Sequence, residues 1–311
     1  MNYLFALLWL LFSLAPAAAS QIRFITGDPP KAKDMRLIID VASLRAQKIL
    51  GIKLPDTLNL AIVQTQAQFD SLAGGTIPDW GAGAAIPTRD LIILRETMMD
   101  RYPGTMADLI EHELAHIAMY QRVRGARLPR FIDEGFASWF AGEWTFSQVT
   151  TVAAAQITKS LLPLRDIDEV NQFHQAEANL AYAQSYLVVL YILQRFGELG
   201  LVDLLDAFAE GKNISEAFHS GLGISFWRFE ADYRKFLSDN YTLLAILSDM
   251  SGLWIFLAVV VIVGWLLLRR RRKTAFDRWK EEEKYQSTDF DYSGSDDDEP
   301  WKQPEDDSSR Y

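Results

Sequence analysis

The residues in this sequence best equipped for chemistry are His112, Glu113 and His116, in the run His112-Glu113-Leu114-Ala115-His116. Residues four apart on an α-helix share a face, so the two imidazoles can point together at one metal ion. Glu113, between them, can reach a water bound to that ion. The spacing suits metal-assisted hydrolysis. A Zn²⁺ held by neutral imidazoles lowers the pKa of its water to about 7, and the carboxylate takes the proton. A solvated helix face could carry the same residue types. The chain holds only 4 histidines, however, and two of them fall in this one turn, which favours the metal. Glu111 in the same turn reads as a solvated or supporting residue rather than a ligand.

A catalytic zinc takes three protein ligands and keeps one position for water, so two histidines leave it one short. Downstream, Leu128-Pro129-Arg130-Phe131-Ile132-Asp133-Glu134-Gly135-Phe136-Ala137-Ser138-Trp139-Phe140 reads as a second helix with Glu134 in an early turn. The helix macrodipole alone favours acids there. For Asp133 that reading or a supporting role is preferred; for Glu134, the metal.

These side chains need elements to hold them. Thr105, three residues before Asp108 and just after Pro103-Gly104, is a capping-box-like helix start. Met106, Leu109, Ile110, Leu114, Ile117 and Ala118 then form an apolar stripe that can be buried. Upstream, Met35 to Leu50 reads as an amphipathic helix with Leu37, Ile38, Val41, Leu44, Ile49 and Leu50 as its packed side and Gly51 as its C-cap. Leu58 to Val63 and Leu91 to Leu94 are strand candidates, with a short helix over Gln66 to Leu72 ending at Gly74-Gly75. Between them, Trp80 to Ile86 is glycine-rich, as where a backbone passes close to another chain, and Arg89-Asp90 makes a turn. This order is α+β rather than a regular βαβ alternation. Arg122, Arg124, Arg127 and Arg130 read as a solvated surface. Leu199 to Phe208 and Ile214 to Tyr233 read as further helices, packed through Phe218, Phe226, Trp227, Phe229 and Phe236.

The pair of motifs, His112-Glu113-x-x-His116 followed by Phe131-Ile132-Asp133-Glu134-Gly135-Phe136-Ala137, resembles the gluzincin clan of metallopeptidases. The bacterial peptidase MA-like domains are the nearer likeness, and the aminopeptidase-N family a more distant one. The resemblance spans Leu58 to Gly197 and implies a zincin fold with a helix-rich second half. It also implies that the Leu91 to Leu94 strand is the edge that lines the substrate cleft. In the family an aromatic hydroxyl beyond the third ligand steadies the oxyanion. Ala181-Tyr182-Ala183-Gln184-Ser185-Tyr186 is similar to that segment, which makes Tyr182 the candidate and Tyr186 its rival. His174 reads as an ordinary polar residue. One departure matters. The aminopeptidases carry an upstream Gly-Ala-Met-Glu-Asn segment whose Glu binds the substrate amine, whereas this chain has Gly83-Ala84-Ala85-Ile86-Pro87. The departure argues against an aminopeptidase specificity and for an endopeptidase or an unusual substrate.

Composition bounds the rest. There is no cysteine among 311 residues, so any metal must use nitrogen and oxygen ligands. A net charge of -10 argues against general nucleic-acid binding. Residues 1–20 read as a secretory signal, with an apolar run over Leu4 to Leu14 and then Pro16 and small residues. Residues 251–268 lack charge and precede Arg269-Arg270-Arg271-Arg272-Lys273, as in a membrane span with its cytoplasmic end marked. The expected organisation is therefore a leader, an extracytoplasmic catalytic domain over 21–245, one transmembrane helix, and a cytoplasmic tail over 269–311. Beyond Phe276 that tail is acidic and suited to disorder. The leading expectation is a membrane-anchored zinc metallopeptidase acting on peptides or proteins. The alternative is a catalytically weak or inactive zincin-fold scaffold. An intramembrane protease is excluded, because the metal motif lies far from the apolar span.

Overall fold

The computed structural model describes residues 20–27, 29–75, 81–168, 175–242 and 257–269, with isolated positions 272, 278 and 281. The expected signal segment (Ser20 aside), His174 and the acidic tail beyond 281 lie outside the described residues. The chain divides into two compact units, 1–248 and 249–311.

The first unit begins with a small sheet. Strands β1 (Gln21–Phe24), β2 (Thr57–Val63), β3 (Gly83–Ile86) and β4 (Leu91–Arg95) lie in the order β1-β2-β4-β3. β1 and β2, and β2 and β4, run parallel, while β3 returns antiparallel to β4 with Gly83 opposite Leu94. Helix α1 (Ala32–Leu50) makes the crossover from β1 to β2, and α2 (Gln66–Ala73) follows β2. The class is α+β with a mixed sheet, but its first three elements are a βαβ unit that the sequence pattern does not reveal. β1 is only four residues of Gln-Ile-Arg-Phe, too short to register an alternation.

Both faces of the sheet are covered, which explains why every residue of β4 is buried. On one face Leu58, Leu60, Ile92 and Leu94 join the main core with the helices. On the other, Ala61, Val63, Leu91 and Ile93 close over Phe69 of α2. β4 is therefore an interior strand, and the expectation that Leu91 to Leu94 forms the cleft edge is corrected: the edge beside the helices is β3. Its glycine and alanine residues carry little hydrophobic signal, so the sequence draws attention to the stronger inner strand instead.

The packed side of α1 also differs from expectation. The buried residues are Met35, Ile39, Ala42, Ser43, Ala46 and Leu50, whereas Leu37, Val41 and Leu44 are 65%, 55% and 51% exposed. Small side chains let α1 lie close to α3 (Met106–Arg122), and the larger aliphatics are left outside. Arg45 fastens the contact. It donates to Glu111 Oε2 and to the Phe140 carbonyl, each at 2.6 Å, and lies over the Phe140 ring at 3.9 Å. Glu111 is thus neither solvated nor part of the metal motif.

Helices α4 (Arg130–Phe140), α5 (Phe146–Thr158), α6 (Gln175–Ala209, broken at Gly197), α7 (Ile214–Leu222) and α8 (Phe226–Asn240) build the second half. Phe131, Phe218, Phe226, Phe229 and Tyr233 form its aromatic centre. Trp227 is not in it: the side chain is exposed and holds the Arg165 guanidinium at 5.2 Å. Of the basic stretch, Arg124 and Arg127 are exposed as expected, but Arg122 is largely covered and pairs with Asp206, and Arg130 turns inward.

In the second unit residues 257–269 are helical and expose Val259 to Val263 and Trp265 to Leu268. No helix among the described residues is long and apolar enough to cross a membrane, and residues 251–256 of the expected span lie outside them.

A close interhelical approach lies directly beside Glu134. A Cβ on Gly135 would meet the Ser185 carbonyl oxygen of α6 at 2.2 Å, so only glycine lets α4 and α6 lie this close. Gly135→Ala is expected to cost about 2 kcal/mol or more in chemical denaturation, the usual scale of overpacking. An unchanged midpoint would show that the two helices separate freely.

Candidate metal centre

α3 starts where its cap dictates. The Thr105 hydroxyl accepts from the Asp108 N–H at 3.2 Å, and the Thr105 N–H donates to Asp108 Oδ2 at 2.7 Å. That start fixes which residues of α3 face the core, namely Leu109, Ile110, Leu114, Ile117 and Ala118, and leaves His112 and His116 one turn apart at the cleft. Their rings are edge to face, 5.0 Å between centroids.

α4 meets this face with Glu134 in its first turns. Glu134 Oε2 lies 3.6 Å from His112 Nε2 and 3.8 Å from His116 Nε2. One ligand atom from each of the three residues falls within 4.8 Å of the others, a grouping that could hold a metal ion. The donor set fits a borderline divalent cation, with two imidazoles and one carboxylate. The far sides of the rings agree. His112 Nδ1 faces Glu143 Oε2 at 3.0 Å and His116 Nδ1 faces Asp133 Oδ2 at 3.1 Å. A carboxylate on Nδ1 keeps the proton there and leaves Nε2 as the free lone pair, the usual arrangement behind a metal-binding imidazole. Asp133 therefore takes the supporting position allowed for it in the sequence.

Glu143 is the residue that sequence reasoning missed. After α4 ends, the Gly142 N–H donates to the Trp139 carbonyl and the Glu143 N–H to the Ser138 carbonyl at 2.9 Å. This turn brings the chain back over the helix and delivers Glu143 to His112. The hydroxyl of Tyr102, at the end of the 3₁₀ segment Glu96–Arg101, donates to its other oxygen. The only sequence trace is a glycine-acid pair just past a helix end.

Glu113 is 6% exposed and lies against β3. A Cβ on Gly83 would come within 2.7 Å of Glu113 Oε1, so the glycine-rich strand does pass close to another element, and that element is the metal helix. Together β3, α3, α4 and the start of α5 line an open cleft of about 980 Å³. Tyr182 of α6 lines it too. Tyr186 does not, being stacked on Trp144 at 4.7 Å.

Without metal the centre is an interlocked set of charges. Burial works to lower the pKa of His116, but the charge and hydrogen bond of Asp133 together with the charge of Glu134 outweigh it and lift it to about 9. Burial likewise opposes protonation of His112, but the carboxylates around it, Glu143 first and then Glu134 and Glu113, together raise the imidazole well above its ordinary value. Burial would raise Glu134, yet its bond to His112 and the charge of His116 bring it down to about 2. Glu113 goes the other way: burial raises its pKa beyond what the two imidazoles can offset. Burial, then the Glu134 charge, also keeps the Tyr182 phenol protonated.

Residues 40–239 match the family model of the Peptidase MA superfamily, and the chain belongs to that superfamily. The match extends well beyond the Leu58 to Gly197 stretch that carries the resemblance, into α1 upstream and through α8 downstream. No curated protein matches the chain. Superfamily membership and the His112, His116, Glu134 grouping point to a metallopeptidase-like function.

The raised imidazole pKa values set a pH dependence. A histidine raised from 6.5 to about 9 stabilises the metal-free fold fully below 6.5, and that stabilisation is lost as pH rises through 9. A metal ion must displace those same protons. Metal binding at pH 7.5 is therefore expected to release protons. Its affinity should tighten by up to about tenfold per pH unit for each proton displaced, as titration calorimetry in buffers of different ionisation enthalpy would measure. Binding with no proton release would contradict this charge arrangement.

Proposed function

We propose that this chain is a zinc-dependent endopeptidase, anchored in a membrane with its catalytic domain on the outer side. His112, His116 and Glu134 hold the metal, Glu113 is the general base and Tyr182 donates to the oxyanion. The observation that carries this reading is the convergence of two imidazole Nε2 atoms and one carboxylate oxygen, with a buried carboxylate at the cleft wall beside them.

A metal bound there lowers the pKa of a water molecule and polarises a carbonyl. The chain's own residues do the rest. β3 ends the sheet beside the cleft, so its free edge can pair with an extended peptide as an added strand. Glu113 accepts a proton from the attacking water, and its burial stabilises the protonated form that later hands the proton to the leaving amine. Tyr182 keeps its phenolic proton and can donate it in a hydrogen bond as negative charge develops on the carbonyl oxygen.

Zinc is favoured over harder cations by the two imidazoles, and an iron–sulfur or thiolate site is ruled out by the lack of cysteine. Cleavage within chains, rather than at an amino terminus, is supported by Gly83 to Pro87, where no acid stands to bind a free amine. Anchoring rests on the leader-like residues 1–20 and on the uncharged stretch 251–268 with its Arg269 to Lys273 border. In that arrangement the tail over 269–311 is cytoplasmic.

In the purified full-length protein, Glu113→Gln is expected to keep its zinc and lose on the order of 10²-fold or more in peptide hydrolysis, against a chelator-treated control. Tyr182→Phe should lower kcat by about 10²-fold with little change in KM. Undiminished turnover in Glu113→Gln would exclude this mechanism.

A further inference from the structure

The Glu134 carboxylate is engaged at both ends. While Oε2 faces the two imidazoles, Oε1 receives Arg130 Nη2 at 3.2 Å. Arg130 stands one turn earlier on α4, so the helix itself sets this pairing. The start of the helix is held in turn, because the Arg130 backbone N–H donates to Asp168 Oδ1 at 2.6 Å.

The Arg130–Glu134 contact is not a solvated surface pair of residues four apart, because the Glu134 side chain is only 12% exposed.

We propose that Arg130 is a positioning residue that restricts Glu134 to one-oxygen ligation. This rests on the metal-site reading above and deepens it. A carboxylate whose second oxygen is occupied by a guanidinium offers a metal only one oxygen. Released, it can swing to offer both and take up the position meant for water. Arginine suits the task, since it keeps its charge at any relevant pH and its guanidinium matches a carboxylate oxygen in a fixed geometry.

The test uses Co²⁺ as the probe in the full-length protein, because cobalt's visible absorption weakens as coordination number rises. Arg130→Gln is expected to reduce that absorption and to weaken cobalt binding by about tenfold or more in a chelator competition. Arg130→Lys keeps the charge without the fork and should fall between it and the wild type; it decides the matter if the Gln variant does not fold. Tyr182→Phe should leave the cobalt spectrum unchanged. Wild-type spectra, with affinities within about twofold, in both Arg130 variants would overturn the proposal. Cobalt spectra need no turnover. A protein that cleaves no peptide yet shows these shifts would sink the peptidase reading alone, and cleavage with unshifted spectra would sink only the role of Arg130.

Discussion

The structure depends on how closely two helices approach. α3 carries His112, Glu113 and His116, and α4 carries Asp133 and Glu134 and ends in the turn that returns Glu143. Neither helix holds a metal site alone. The site exists because α4 lies near enough for one oxygen of Glu134 to sit 3.6 and 3.8 Å from the two imidazoles. Gly135 permits that approach by letting α6 press against α4 from behind, and Arg45 secures the outer end of the pair by bonding Glu111 of α3 and the Phe140 carbonyl of α4. The aromatic centre of the second half then backs α4 through Phe131, which packs on Phe218 and Phe226.

Several polar groups at the centre each serve two partners. Glu143 holds His112 and takes the Tyr102 hydroxyl, and Glu134 faces the imidazoles and Arg130. Such buried networks stabilise only when every member is satisfied, and a cation at the centre would complete this one by replacing imidazole protons with a metal bond. Burial drives the remaining carboxylate, Glu113, toward its protonated form. The same cleft thus separates carboxylates kept charged by partners from one kept basic by isolation, which is the division of labour that hydrolysis needs.

Much of this was legible from local chemistry. The Thr105–Asp108 cap, the i, i+4 imidazoles, the third carboxylate on a following helix and the Gly51 cap of α1 are all short-range patterns, and short-range patterns survive in sequence. What eluded the pattern is set by tertiary packing. α1 has aliphatic residues on two faces, and close packing through Ala42 and Ala46 selects the less hydrophobic one. β3 is nearly featureless because its glycine and alanines must admit Glu113 and leave room at the cleft, so the stronger β4 looked like the edge. Glu143 reaches His112, and Tyr102 reaches Glu143, from separate loops, with no spacing that marks them. Arg130 looked like one of several solvated arginines, and only the inward face of α4 separates it from Arg124 and Arg127.

The central claim is that three side chains of α3 and α4 share one ion. Metal analysis and X-ray absorption on the full-length protein test it most directly. One zinc per chain, with two imidazoles and a carboxylate oxygen in its shell, is the result this structure predicts. A chain that retains no stoichiometric metal, or a metal shell without imidazole, would contradict it.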